Sequence, residues 1–492
     1  MIFLGLDCGT QSTRALALDW ETGIVLAVAS QAHSSLISRP DGTMEQNPSE
    51  WVAAAEASLT EVIAALGTQR DRVRGIGVSG QQHGLVLLNA KGDVIRRAKL
   101  WCDTSTTKQC ADLTARLGGV EAVIREIGNT MRPGYTAPKI AWVYEHEPEN
   151  WASTESVLLP HDYLNFWLTG AKSMEYGDAS GTALLDISRR QWSTRVVEAV
   201  APGLYEKLPP LHSSHEPAGI LRTALASRWG LASNVMVSAG SGDNMMSAIG
   251  TGNVRPGIVT ASLGTSGTLF AFSPVPFVDP VGEIAGFCDA TDNWLPLVCT
   301  MNLTLVTEHV RHLFGWDFAR LDEEIRSVPA GAGGLVFLPY LVGERTPDLP
   351  AATGTLAGLT LQNFQPAYLA RAAMESVTFG LAAGLQRLTT IQPEEVRLTG
   401  GGSNSPVWRQ ICADIFGVPT VQAANEGAAF GAALHAGWTT TPDESLTAIT
   451  DRLVHVNEAT RCLPRPEFAE SYLKATQKSA SLLAALRAGG QL

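Results

Sequence analysis

A short pattern that occurs twice constrains this chain more than any other. Near the start, Phe3-Leu4-Gly5-Leu6 runs into the turn Asp7-Cys8-Gly9-Thr10-Gln11-Ser12-Thr13 and out again through Ala15-Leu16-Ala17-Leu18. Past the midpoint, Ile258-Val259-Thr260-Ala261-Ser262-Leu263 runs into Gly264-Thr265-Ser266-Gly267 and out through Leu269-Phe270-Ala271-Phe272. Apolar runs of strand length on either side of a glycine turn read as β-hairpins. The two Gly-Thr pairs stand 255 positions apart (265 minus 10). Gly-Thr turns are common, but each hairpin opens a half of domain size, which implies a duplicated domain. At 492 residues the chain is also too long for one core. Two domains are therefore expected, 1–245 and 246–492, with a cleft between the copies.

Each half reads as mixed α/β. After the first hairpin a third apolar run, Ile24-Val25-Leu26, completes an antiparallel meander. Asn47-Pro48-Ser49-Glu50 supplies a cap, a first-turn proline and a capping-box glutamate for a helix buried through Trp51, Ala55, Leu59, Val62 and Leu66. A strand, Val73 to Ser79, follows. A doubly wound dinucleotide domain would place a helix after its first strand, so that fold is excluded. In the second half, a long helix is expected over about 366–388, a strand over Val396 to Thr399, a helix from Trp408 to Phe416, and a last amphipathic helix through Phe468, Tyr472, Leu482 and Leu486. A net charge of −12 argues against nucleic acid or an anionic membrane as partner. Seven scattered cysteines without Cys-x-x-Cys spacing, and no export or membrane-spanning pattern, point to a cytoplasmic protein.

Chemistry gathers at the turns. Val235 to Ala239 reads as a buried strand and Met245 onward as a helix, with Gly240-Ser241-Gly242-Asp243-Asn244 between them. Glycines allow a sharp turn and close approach to a ligand, leaving the Asp243 carboxylate at a helix start as a candidate base. An isolated aspartate there would more often be a cap. The hairpins give it something to act on, because successive backbone N–H groups with Thr10, Ser12, Thr13, Thr265, Ser266 and Thr268 can cradle phosphate oxygens. Neither is a Walker loop. A third turn, Gly400-Gly401-Gly402-Ser403-Asn404-Ser405, lets a base or ribose lie on bare backbone. Asp7 beside the first phosphate turn would repel phosphate unless a divalent cation intervened, so it is expected to orient Mg²⁺ through water. His83, in Gly80-Gln81-Gln82-His83-Gly84, can hydrogen-bond a sugar hydroxyl. His309 and His312 lack further ligands at metal spacing and read as a solvated helix face.

Together Asp7-Cys8-Gly9-Thr10, Gly242-Asp243-Asn244, Leu263-Gly264-Thr265-Ser266-Gly267 and Gly400-Gly401-Gly402-Ser403-Asn404 resemble the FGGY carbohydrate kinases. Gly134 to His146 resembles the family's first signature. Gly354 to Leu359, continuing to Ala372-Ala373-Met374-Glu375, resembles its second, with Tyr368 in place of the usual polar residue. The resemblance covers nearly the whole chain. It implies two actin-like (ribonuclease H-like) ATPase domains with an interdomain catalytic cleft, ATP and Mg²⁺ as cofactors, and a small sugar as acceptor, with a homodimer allowed. Gly80 to Gly84, Leu100-Trp101-Cys102-Asp103 and Gly177 to Thr182 narrow the resemblance to members acting on D-xylulose at O5, with D-ribulose or another ketose or polyol as the first alternative and a non-catalytic actin-like ATPase switch as a more distant one. It further implies that Asp243 deprotonates the acceptor hydroxyl with Asp7 beside it. Gln82, His83, Asn244, Trp101 and Asp103 would line the sugar pocket. Gly9, Thr10, Gln11, Ser12 and Thr13, with Gly264, Thr265, Ser266 and Gly267, would hold the phosphates, and Gly401, Gly402 and Asn404 the adenosine.

Overall fold

The computed structural model describes residues 1–492 except Ser35, Asn425, Glu426 and Pro442. The chain forms two compact units, Met1–Arg255 with Phe272–Leu295 and Asn425–His455, and Pro256–Ala271 with Pro296–Ala424 and Val456–Leu492. The chain crosses between the two units more than once.

Unit 1 begins with the expected meander, β1 (Ile2–Cys8), β2 (Ser12–Asp19) and β3 (Val25–Ala32). Helix α1 (Pro48–Leu66) buries Trp51, Leu59, Val62 and Leu66 against the sheet core, each such side chain worth about 1.5–3 kcal/mol of burial. Asn47 caps it by accepting from the Ser49 N–H. The expected capping box does not form: the Glu50 carboxylate accepts from the Ser34 N–H instead, at 3.3 Å. Next come β4 (Val73–Gly80), α2 (Thr136–His146), α3 (Pro160–Thr169), β5 (Met236–Val237), β6 (Ser241–Gly242) and α4 (Asp243–Gly250). The sheet runs β5-β4-β1-β2-β3, with β6 also paired to β4.

Unit 2 repeats this plan. Strands β7 (Ile258–Leu263) and β8 (Gly267–Ala271) form the second hairpin, followed by β9 (Trp294–Thr300), α5 (Thr304–Leu313), α6 (Phe318–Ser327), α7 (Pro366–Arg387), β10 (Glu395–Thr399), α8 (Pro406–Phe416) and β11 (Thr420–Ala423). The next helix, α9 (Ala428–Thr440), belongs to unit 1, and the chain ends in unit 2 with β12 (Val456–Cys462) and α10 (Pro466–Ala488). In both units the hairpin is antiparallel, its second strand pairs antiparallel with a third, and its first strand pairs parallel with a strand that follows a helix. A further parallel neighbour completes each series. This shared topology is the duplication read from the hairpins. Helix α10 docks through Tyr472, whose hydroxyl accepts from buried Arg371, itself paired with Glu375 at 2.7 Å. The second signature therefore carries a structural ion pair.

Close packing fixes α9 in unit 1. A Cβ on Gly5 of β1 would lie 1.8 Å from the Ala429 carbonyl oxygen, and one on Gly77 of β4 1.9 Å from that of Ala432. One on Gly431 would lie 1.8 Å from the Met246 oxygen of α4. Only glycine permits these approaches, so α9 is wedged between the sheet and α4, the helix that begins at Asp243.

Candidate active site

The centre of unit 1 is the junction of β6 and α4. Ser241 and Gly242 pair in parallel with Ser79 and Gly80 at the end of β4, and Gly242 is the N-cap. Asp243 is thus the first helical residue and not the cap. One of its oxygens accepts from the Asn244 N–H at 2.8 Å and from the Asn244 side-chain amide at 3.0 Å. That amide also donates to Gln82 Oε1 at 2.8 Å. Gln82 Nε2 is buried without a protein partner, an N–H₂ group awaiting an acceptor. Space for Gln82 exists because residue 242 is glycine: a Cβ there would meet Gln82 Cγ at 2.5 Å.

A helix N-terminus favours a carboxylate, yet burial, then the charges of Asp7 and Asp178, push Asp243 up to about 7. Asp7, half-buried at the end of β1, accepts from the Ser79 hydroxyl at 2.8 Å, and burial raises it despite that bond and the nearby Arg14. Among the described residues, no three His, Cys, Asp or Glu groups are placed to hold a metal. The single carboxylate of Asp7 fits Mg²⁺, which takes one or two protein carboxylates and fills its remaining positions with phosphate and water.

Beneath the junction lies a buried network the sequence reading missed. Glu175 accepts from the Ser241 hydroxyl and from the Gly177 and Asp178 N–H groups, each at 2.6 Å. Asp178 lies 2.7 Å from His161 Nδ1. Burial alone would discharge His161, but Asp162 and Asp178 outweigh it and hold the imidazole charged, up to about 9. These residues are scattered over Pro160 to Ser241, and nothing in their local spacing signals that they meet.

The first hairpin is held on all sides. The Thr10 carbonyl accepts from Gln46 at 2.6 Å, and its hydroxyl accepts from the Trp101 indole N–H at 2.9 Å and donates to Gln81 at 3.2 Å. Gln11 is exposed, and Gly9 and Ser12 are half-buried. Thr13 lies within β2, fully buried, with its hydroxyl bonded to His33 at 2.9 Å. Trp101 keeps an exposed ring face while its N–H braces the hairpin. Asp103 does not join this group. It is wholly buried, and its oxygens accept from Lys99, Ser105 and the Met44 N–H. The His83 ring stands against Tyr135 and Phe287, at 4.8 and 5.7 Å between centroids, an aromatic wall to which Tyr135 and Phe287 are unforeseen additions.

Unit 2 holds the other predicted residues. The Thr265 carbonyl accepts from Leu303 and Leu305 and the Gly264 carbonyl from Thr304, tying the second hairpin to the start of α5 while Thr265 stays exposed. Gly401, Gly402 and Asn404 line a cavity of about 500 Å³ together with Phe318, Asp322 and Met374, a size suited to a small ligand. The Ser405 hydroxyl donates to Asp322 at 2.6 Å at the cavity edge. His309 and His312 are exposed on α5.

Residues 2–250 match the N-terminal domain, and residues 259–440 the C-terminal domain, of the FGGY family of carbohydrate kinases. The chain belongs to this family of phosphotransferases and has its two-domain α/β fold, that of the actin-like ATPases. It is 39% identical over 486 residues to the xylulose kinase of Haemophilus influenzae, covering 97% of this chain and 98% of that one. Among solved structures it resembles a "xyloylose kinase" from Brucella ovis (33% identity, TM-score 0.93, 99% and 100% of the two chains). It also resembles a xylulose kinase from Rhodospirillum rubrum (29% identity, TM-score 0.91, 99% of each).

Proposed function

We propose that this chain is an ATP-dependent xylulose kinase, converting D-xylulose and ATP to D-xylulose 5-phosphate and ADP. The observation that carries the reading is the chain Asp243–Asn244–Gln82, which joins a carboxylate raised to about 7 to a buried amide with an unused N–H₂ group. A polyhydroxylated acceptor satisfies both. The near full-length similarity to xylulose kinases supports the choice of sugar.

In this reading unit 1 supplies the acceptor site, the base and the first phosphate turn, and unit 2 supplies the second hairpin and the adenosine cavity. O5 of the sugar attacks the γ-phosphorus, the bond from that phosphorus to the bridging oxygen breaks, ADP leaves, and the O5 proton passes to Asp243. Proton transfer comes late in a loose phosphoryl transfer, so a base near 7 suffices and positioning provides most of the acceleration. Asp7 would be the carboxylate beside a bound Mg²⁺, which would neutralise charge on the phosphate oxygens. The reaction belongs in the cytoplasm, where ATP is the phosphate currency.

Coupled ADP release over a panel of ketoses and polyols tests the reading. D-xylulose should stimulate turnover more than D-ribulose or glycerol; stimulation by none of them would overturn it.

A further inference from the structure

Three features converge on His83. Its backbone has φ of 66°, in the left-handed region that a non-glycine residue rarely occupies. Its carbonyl oxygen accepts two hydrogen bonds from the first turns of α2, from Lys139 Nζ at 2.8 Å and from the Thr136 hydroxyl at 3.1 Å. Its ring fills the place a side chain would take at residue 181, where a Cβ on Gly181 would lie 2.3 Å from His83 Cε1 and Nδ1.

Lys139 is an unusual residue to find there. It is completely buried, and its other hydrogen bond goes to the Gly134 carbonyl at 2.7 Å, so both its bonded partners are neutral backbone oxygens. Charged lysines are almost never fully buried without a countercharge in contact. Asp103 lies within electrostatic reach, as do Cys102, Cys110 and Lys99, but burial dominates and brings the amine down to about 7. Charged or neutral, a lysine amine keeps at least two N–H donors, enough for two carbonyls. Its contribution is therefore geometric: it holds Gly134 and His83 to one point on a rigid helix.

We infer that Lys139 is a positioning residue for sugar recognition. It does not touch the substrate; it holds the His83 carbonyl, and with it the left-handed backbone, so that the imidazole enters the slot left open by Gly181. In the sequence Lys139 stands within the Gly134 to His146 signature. The inference rests on the reading of His83 as a sugar ligand, and the experiment separates the two.

Full-length wild type, H83A, K139M, the double variant H83A/K139M and G181A are compared by KM for D-xylulose at saturating ATP and KM for ATP at saturating sugar. K139M should raise the sugar KM about tenfold while leaving the ATP KM within about twofold. G181A, on a separate segment, should shift the same constant in the same direction and keeps the test alive if K139M fails to fold. Because Lys139 acts through His83, the double variant should be no worse than H83A alone. Multiplying effects in the double variant, or equal rises in both KM values for K139M, would overturn the inference. An unchanged sugar KM in H83A would instead overturn the placement of His83, and the inference with it.

Discussion

Replacing Asp243 with asparagine should make the protein more stable and nearly inactive at once. In the folded chain the carboxyl is raised from 3.8 to about 7. A shift of about 3 units at 1.36 kcal/mol each sets an upper bound of about 4 kcal/mol on what the ionised group costs the fold. The sign follows from the direction. The folded-state value exceeds the unfolded one, so the penalty is small near pH 4, grows as pH rises through the interval, and is complete above about pH 7. Asparagine carries no charge and retains an oxygen for the Asn244 N–H. Its new N–H₂ puts a donor where the buried carboxyl had an acceptor oxygen, which discounts the gain to about 1–3 kcal/mol. Thermal midpoints of wild type and D243N, measured between pH 4 and pH 8 without nucleotide, should coincide at the acid end and diverge in favour of D243N toward pH 8. Sugar-dependent ADP release should meanwhile fall by about 10²–10⁴, the usual worth of a general base. If D243N proved no more stable than wild type at pH 8, the desolvated-carboxylate argument would be wrong, and if turnover survived, so would the base assignment.

Three other expectations follow. Under subsaturating sugar, kcat/KM should fall about tenfold per pH unit below about pH 7, as Asp243 takes up a proton before it can accept one from substrate; a flat profile down to pH 5 would contradict this. Gly401 lines the unit 2 cavity and has nothing within 4 Å of its missing Cβ, so Gly401→Phe should leave the thermal midpoint unchanged while raising the ATP KM about tenfold or more. An unaltered ATP KM would remove the cavity as the adenosine site. Gly77→Ala should lower the thermal midpoint by several degrees, since its methyl would force α9 away from β4 at a cost of about 1–3 kcal/mol or more.

What could be read from sequence was local. The hairpins at Gly9 and Gly264 announce themselves because glycine turns between apolar runs are nearly self-sufficient, and their repetition gave the duplicated topology. Asn47-Pro48 marked a helix start for the same reason. Glu50 misled because a capping box competes with any other N–H in reach, and the carboxylate bonds the Ser34 N–H, distant in sequence. Side-chain direction was illegible for Thr13 and Asp103, whose neighbours His33, Lys99 and Met44 are set by strand pairing. The Glu175–Asp178–His161 network and the bond from Lys139 to His83 likewise join segments that only the folded chain brings together.

The wedging of α9 against β1 and β4 has a consequence in time. Residues 1–255 supply the sheet early in synthesis, but the helix that seals Gly5 and Gly77 ends at Thr440, 185 residues later (440 minus 255). At about 5–20 residues per second, a nascent chain carries that open apolar sheet face for roughly 10–40 s before its own cover emerges. The enzyme's first unit is thus among the last parts to be finished, and the interval is one in which a chaperone has something to hold.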